Sequence, residues 1–268
     1  MKTPWIAALL AAVALTATAC STGGTADPTT PAASSSASAP SAVSLVAGDK
    51  LTVCTNPPYE PFEFEENGEI VGLDIDITAE IAKDLGVPQQ ILTVGFDALE
   101  SGAALNSSQC DVVATGLSIT ENRKQNVDFS TSYFDADLGL LVPAGSALDS
   151  AESLKGKKIG VQVGTVGKDW VAENGLTGVE FADLGLQVQA LKTKQVDAVV
   201  TDLTVLAPYV DADYVVTATF PTADQYGIAV KKGNTALLEA VNATLERITN
   251  DGTYDAIYTA RVGLAPQD

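Results

Sequence analysis

Short apolar runs alternate along most of the chain with stretches whose apolar residues recur at helical spacing. Leu51–Thr55, Ile91–Val94, Asp111–Ala114, Gly139–Val142, Lys158–Val163, Ala198–Thr201 and Gly227–Lys231 are rich in valine, isoleucine and leucine, and each is short enough to be a buried strand. Between and after them, Asp76–Leu85 sets Ile77, Ile81 and Leu85 on one helical face. Thr235–Asn250 does the same with Leu238, Val241, Leu245 and Ile248, and Gly252 stands where that helix should stop. Strand and helix in alternation predict an α/β architecture of mainly parallel sheets flanked by helices.

Part of this pattern occurs twice. Lys50–Asn56 (KLTVCTN) and Lys158–Gly164 (KIGVQVG) both read as a strand running into a turn. Each is followed by an acid-led strand, first in Cys110–Ser118 (CDVVATGLS) and then in Val196–Val205 (VDAVVTDLTV). The copies differ at the strand end, where one has Gly116 and the other Asp202. Two copies of strand, crossover and strand imply two similar lobes. In open parallel sheets ligands collect beyond the carboxyl ends of the strands. Asn56, Gly116, Ser118, Gly164, Thr165 and Asp202 all fall there, so facing sheets would trap a small molecule between them.

The N-terminal segment belongs to neither lobe. Lys2, an apolar run from Trp5 to Leu15 and small residues leading to Cys20 form a secretion signal over residues 1–19. The run, about eleven residues, is short for a membrane span. Ala17-Thr18-Ala19-Cys20 resembles the lipobox of bacterial lipoproteins, which implies that Cys20 receives the lipid (palmitate) and anchors the protein to the outer face of the cell membrane. The remainder of residues 20–42 is Ser, Ala, Thr, Pro and Gly with almost no charge, a flexible spacer between the lipid and the folded body.

Composition narrows the chemistry. Lys and Arg number 15 against 34 Asp and Glu, a net charge of −19 that repels nucleic acid. The chain has no histidine, and its one methionine is the initiator. That leaves few ligands for zinc, copper or haem and rules out His-dependent nucleophilic catalysis, so no metal and no cofactor are expected. Beyond Cys20 only Cys54 and Cys110 remain. An extracytoplasmic address favours a disulfide between them. Their positions, one late on a strand and one just before another, leave it open whether they come within the ~7 Å Cα separation a bridge needs.

Several blocks then occur in an order that matches a known family. Tyr59–Phe64 (YEPFEF), Asn67-Gly68 and Gly72–Ile77 (GLDIDI) come first, then Gly116–Thr120 (GLSIT) with Arg123 and Val127–Ser130 (VDFS). Gly160–Thr165 (GVQVGT), Asp197–Asp202 (DAVVTD), Tyr226–Val230 (YGIAV) and Asp251–Tyr254 (DGTY) follow. With these the chain resembles the family 3 extracellular solute-binding proteins, the amino-acid receptors of ABC importers. The resemblance implies a two-lobed periplasmic-binding-protein-like (type II) fold with two hinge crossings, near Asp137–Gly139 and Gln225–Gly227. Lobe 1 would comprise residues 43–136 and 225–268, and lobe 2 residues 137–224.

It also implies roles. A free amino acid carries a carboxylate and an ammonium, and burying both demands a partner for each. On its own Arg123 reads equally as a surface residue of a polar ENRK turn; at its spacing from GLSIT the family uses such an arginine as a bidentate carboxylate partner. Gly116 and Ser118 would add backbone groups and a hydroxyl, and the turn Gly164-Thr165-Val166 would add N–H groups from the other lobe. Asp202 is implied to hold the ammonium; by its position alone it equally suits the N-cap of a helix over Leu203–Tyr209. Tyr59 and Phe96 stand where family aromatics sandwich the ligand. Asn56 replaces an acid, and Gln162 a lysine, found in some relatives, which argues for a polar neutral or basic amino acid. Glu60 and Glu100 are alternative sources of an anion. The expected protein is a monomeric, non-enzymatic receptor that closes on its ligand and delivers it to a membrane permease. A sensor or adhesin, or a dehydratase-type enzyme on the same fold, are the rival readings.

Overall fold

The computed structural model describes residues 43–263. Strand β1 (Leu51–Thr55) is wholly buried, and the hairpin β2 (Phe64–Glu66) and β3 (Glu69–Val71) follows. Asn67 and Gly68 form the hairpin turn with φ of 53° and 86°, the left-handed pair that matches strand twist. Helix α1 (Leu73–Asp84) buries the expected Ile77 and Ile81 but begins earlier, directly after its N-cap Gly72. There φ is 141° and an added Cβ would lie 2.0 Å from the Phe62 carbonyl oxygen, so only glycine fits. After β4 (Gln89–Thr93) come two short helices, α2 (Phe96–Glu100) and α3 (Ala103–Asn106), then β5 (Val112–Val113) and β6 (Val127–Phe129).

The long strand β7 (Phe134–Pro143) begins the second sheet, followed by β8 (Lys158–Gln162), α4 (Val166–Glu173), β9 (Thr177–Phe181), α5 (Leu184–Lys192) and β10 (Ala198–Asp202). The longer β11 (Tyr214–Tyr226) pairs antiparallel with β7, with Phe134 opposite Tyr226 at one end and Pro143 opposite Tyr214 at the other. The chain then returns to the first sheet as β12 (Ala229–Lys231) and ends in α6 (Thr235–Asn250) and α7 (Thr253–Val262).

Two five-stranded sheets result, ordered β4-β1-β5-β12-β6 and β9-β8-β10-β7-β11. In each, the first two pairings are parallel and the last two antiparallel. The parallel halves are the sequence repeat, β1 and β5 in one sheet matching β8 and β10 in the other. The antiparallel additions make both sheets mixed. They come from β6, β7, β11 and β12, which lie outside the repeat.

The repeated acid has a structural use in both copies. The Asp111 carboxylate accepts the Thr52 N–H at 2.8 Å, and the Asp111 N–H donates to the Thr52 carbonyl at 2.9 Å. Asp197 and Lys158 make the same exchange at 2.9 and 2.8 Å. Each acid thereby locks the start of its strand to the neighbouring strand, which aligns the strand ends where the site is built.

Cys54 and Cys110 form a disulfide with Cα atoms 5.8 Å apart. Cys110 lies in the turn between α3 and β5, just before the strand as its place in the chain implied, and from there it reaches Cys54. Both are buried beside Leu99, Leu105 and Val113. Where the chain passes between lobes, Phe62, Phe134 and Tyr226 pack with ring centroids 4.8 to 5.4 Å apart.

Candidate ligand-binding site

The ten residues proposed from sequence as ligand contacts all line one cavity, about 20 Å³ in volume, between the strand ends of the two sheets. Thr115 lines it as well. From the first sheet, Asn56 follows β1; its amide group donates to the Val94 carbonyl at 2.9 Å, and its backbone N–H donates to the Thr115 hydroxyl at 3.1 Å. Gly116 follows β5 with φ +50°, and a Cβ there would come within 2.6 Å of the Tyr59 ring. Glycine is thus needed both for its backbone and for the ring above it. Ser118 contributes its carbonyl, and Phe96 sets its ring 5.5 Å from the Arg123 guanidinium, within cation–π range.

From the second sheet, Gln162 ends β8 and donates to the Asn56 side-chain oxygen at 3.0 Å and to the Ala182 carbonyl at 3.2 Å. Thr165 caps α4: its hydroxyl accepts the Lys168 N–H at 3.3 Å and donates to the Gln162 carbonyl at 2.8 Å. Val166 opens α4, so the positive end of that helix borders the cavity.

The charges are placed unusually. Arg123 is 4% exposed, yet its nearest ion-pair partner among the described residues, Glu100, is 3.9 Å away. Its two terminal nitrogens donate to neutral carbonyls, Ser118 and Gly164, both at 2.8 Å. Burial pulls its pKa below the usual arginine value, opposed by the fields of Glu100, Asp202 and Asp224. Asp202, across the cavity, accepts a hydrogen bond from the Tyr59 hydroxyl and enters no ion pair among the described residues. Burial pushes its carboxyl up to about 6, with the Tyr59 and Tyr226 hydroxyls working against that rise. A buried charge without a close counter-charge costs several kcal/mol. This cavity has one of each sign.

Asp202 is not a helix cap. The segment after it is a short 3-10 helix, Thr204–Tyr209, that receives no side-chain cap, and the carboxylate turns toward Tyr59 instead. Neither alternative anion lines the cavity. Glu60 is exposed, and Glu100 sits behind Arg123 against Gly164. Among the described residues three hydrogen bonds cross the cavity: Gln162 to Asn56, Arg123, on the 3-10 turn Arg123–Gln125, to Gly164, and Tyr59 to Asp202.

Sequence reasoning missed the support beneath these residues. Tyr226 is fully buried, with its hydroxyl 3.4 Å from that of Tyr59. Glu63 and Asp74 are also buried and bond to Thr115 and Gly116. All three lie in quoted blocks, YGIAV, YEPFEF and GLDIDI, but nothing in a linear string says which way they point. No group of side chains suited to a metal ion occurs among the described residues.

The family of bacterial extracellular solute-binding proteins, family 3, matches residues 51–262. A probable histidine-binding protein of Neisseria gonorrhoeae is 34% identical, with 95% of this chain and 93% of that protein covered. The ABC transporter glutamine-binding protein GlnH of Bacillus subtilis is 38% identical over 72% of each chain. Among solved structures, an ancestral arginine-binding protein bound to arginine superposes with a TM-score of 0.75 at 41% identity, covering 79% of this chain and 97% of that one. A second structure of an ancestral arginine-binding protein holds glutamine. With most of its length matched and its strand ends converging on one charged cavity, the chain belongs to the bacterial extracellular solute-binding proteins of family 3.

Proposed function

We propose that this protein captures a free L-amino acid with a polar neutral or basic side chain outside the cytoplasm and delivers it to the permease of an ABC importer. The observation that carries the reading is the pair of unneutralised charges in one cavity. Among the described residues Arg123 has only the 3.9 Å pair with Glu100, and Asp202 enters no ion pair. An α-amino acid supplies both missing groups on one carbon, the carboxylate to Arg123 bidentately and the ammonium to Asp202. Thr165, Val166, Ser118 and Gly116 complete the carboxylate contacts, and Tyr59 and Phe96 flank the ligand. Asn56 and Gln162 meet its side chain. They are neutral amides able to donate and accept, which suits a side chain of similar polarity.

A cavity of about 20 Å³ holds roughly one water. An amino acid therefore enters only when the lobes separate and the three bonds across the cleft break. Lobe 1 is residues 43–136 with 225–268, of which 264–268 lie outside the described residues, and lobe 2 is residues 137–224; the crossings near Asp137–Gly139 and Gln225–Gly227 act as the hinge. Because the ligand grips both lobes at once, it favours a closed form that the permease can recognise. The protein works as a monomer, without cofactor, and as a receptor rather than an enzyme. Residues 1–42 lie outside the described structure; there the signal over residues 1–19 is removed, the lipid on Cys20 anchors the body to the membrane through the spacer to residue 42, and Cys20→Ala should abolish fatty-acid labelling.

The test is calorimetric titration with each common L-amino acid. Submicromolar to micromolar binding of a polar neutral or basic one, recovered intact, supports the reading. Binding of none, or conversion of the bound compound, refutes it.

A further inference from the structure

Beneath the cavity two carboxylates are buried together, Glu63 at 0% and Asp74 at 1% exposure. They lie on neighbouring segments, the Asp74 N–H donating to the carbonyl of Phe62 at 3.1 Å. Asp74 accepts the Gly116 N–H on one oxygen and the Tyr133 hydroxyl on the other, both at 2.7 Å. Glu63 accepts the Thr115 hydroxyl, whose oxygen in turn accepts the Asn56 N–H at 3.1 Å. The two acids thus hold the ends of β1 and β5, where Asn56 and Gly116 border the ligand cavity.

No lysine or arginine pairs with either acid among the described residues; Arg123 faces Glu100, and Arg261 bonds to Asp76. The groups around the pair are hydroxyls, from Thr55 on β1, Tyr59 in the loop after it, Thr115 after β5, Tyr133 before β7 and Tyr254 on α7. The Asp202 carboxylate lies beyond Tyr59. Two neighbouring carboxylates buried without a cation cannot both ionise readily. Burial pushes the Asp74 carboxyl up to about 7 and the Glu63 carboxyl well above the usual carboxylate range, Glu63 being raised further by the Asp74 charge. Geometry divides the roles. Both Asp74 oxygens receive donors, as an anion requires, whereas one Glu63 oxygen is buried without a partner, as is the Thr55 hydroxyl oxygen.

We propose that Glu63 and Asp74 are one positioning unit for the amino-acid site, with a proton held on Glu63 and the charge on Asp74, so that ligand affinity follows the ionisation of the pair. This rests on the amino-acid-binding reading above. As pH falls through the Asp74 range, that carboxylate takes up a proton, its grip on Gly116 weakens, and affinity drops.

The experiment measures L-glutamine and L-arginine binding by calorimetry from about pH 6 to about pH 8, in wild type, Glu63→Gln and Asp74→Asn. Difference infrared spectroscopy on unliganded wild type near the upper end tests the protonated carboxyl directly. Glu63→Gln imitates a protonated acid and should bind within about threefold of wild type with the same pH slope. Asp74→Asn should bind about tenfold or more weakly, as loss of a charged acceptor does, with a flat profile near neutrality. Wild type should show a carboxylic-acid C=O band that Glu63→Gln lacks. Absence of that band overturns the proposal. So does a folded Glu63→Gln that binds tenfold worse, or an Asp74→Asn that keeps wild-type affinity and slope. If wild type binds no amino acid, the function proposed above fails instead, and the infrared band still decides whether the pair holds its proton.

Discussion

Replacing Asp202 by asparagine should trade function for stability. The substitution keeps size and keeps an oxygen that can accept the Tyr59 hydroxyl, so it removes little besides the charge. For the ligand, it deletes the one carboxylate that lines the cavity among the described residues. Losing one member of a buried, hydrogen-bonded charge pair costs about 2–5 kcal/mol, and the retained amide oxygen places this case toward the lower end. Affinity for the bound amino acid should therefore fall by roughly 30- to 1,000-fold. For the free protein the sign reverses. Burial raises the Asp202 carboxyl to about 6 from its ordinary 3.8, so the folded state disfavours the ionised form. The stability linked to this group is complete below the ordinary value and is lost as pH rises through about 6. At neutral pH the ionised carboxylate is a net cost, on the order of 1–3 kcal/mol at 1.36 kcal/mol per pKa unit. Asp202→Asn should recover it above that range and match wild type in acid. Calorimetric titration and urea unfolding at two pH values measure both effects. Unchanged affinity would refute the ligand assignment. Equal or lower stability of the variant at neutral pH would refute the claim that Asp202 is a desolvated, unpaired charge.

Other outcomes are specific enough to check. Arg123→Lys, which keeps charge but loses the planar fork, should weaken binding by about tenfold or more, and Arg123→Ala further, read by the same titration. As pH drops below about 6 wild-type affinity should decline beyond any loss linked to Asp74, because the ligand ammonium favours ionised Asp202, and Asp202→Asn should lack that added decline. Opening the Cys54–Cys110 bridge, which spans 56 positions, should cost about 4 kcal/mol by loop entropy and lower the unfolding midpoint on addition of reductant. Gly116→Ala forces a Cβ to within 2.6 Å of the Tyr59 ring at positive φ, so it should destabilise by about 1–3 kcal/mol and reduce affinity at once.

Much of this was legible in the linear string. β1 and α6 lie where apolar periodicity put them, because continuous burial and a single helical face are local properties that composition records. The repeat exposed the parallel half of each sheet, and the family resemblance brought ten cavity-lining residues onto the page, seven of them inside the ordered blocks. Less visible were β9, with its partly exposed alternation, and β11, whose first positions are half-buried and whose later ones alternate half-buried and exposed up to the buried Tyr226. The antiparallel pairings, contributed by segments outside the repeat, had no local signature either.

By itself the sequence determined the kind of partner this protein can hold. With no histidine, one methionine and a strongly acidic balance, it confined the chemistry to carboxylates, guanidinium, amides and hydroxyls at strand ends. Tertiary structure decided which of those groups stay unpaired. Asp202 and the acids Asp111 and Asp197 look alike in the chain, yet two clamp strand starts through backbone N–H groups and the third faces only hydroxyls. Arg123 could have met a carboxylate and instead meets two carbonyls. The cost of a buried charge depends on what stands within a few ångströms of it, and those neighbours come from segments up to 143 positions apart. Only the folded chain assembles them, and only there does the missing zwitterion take shape.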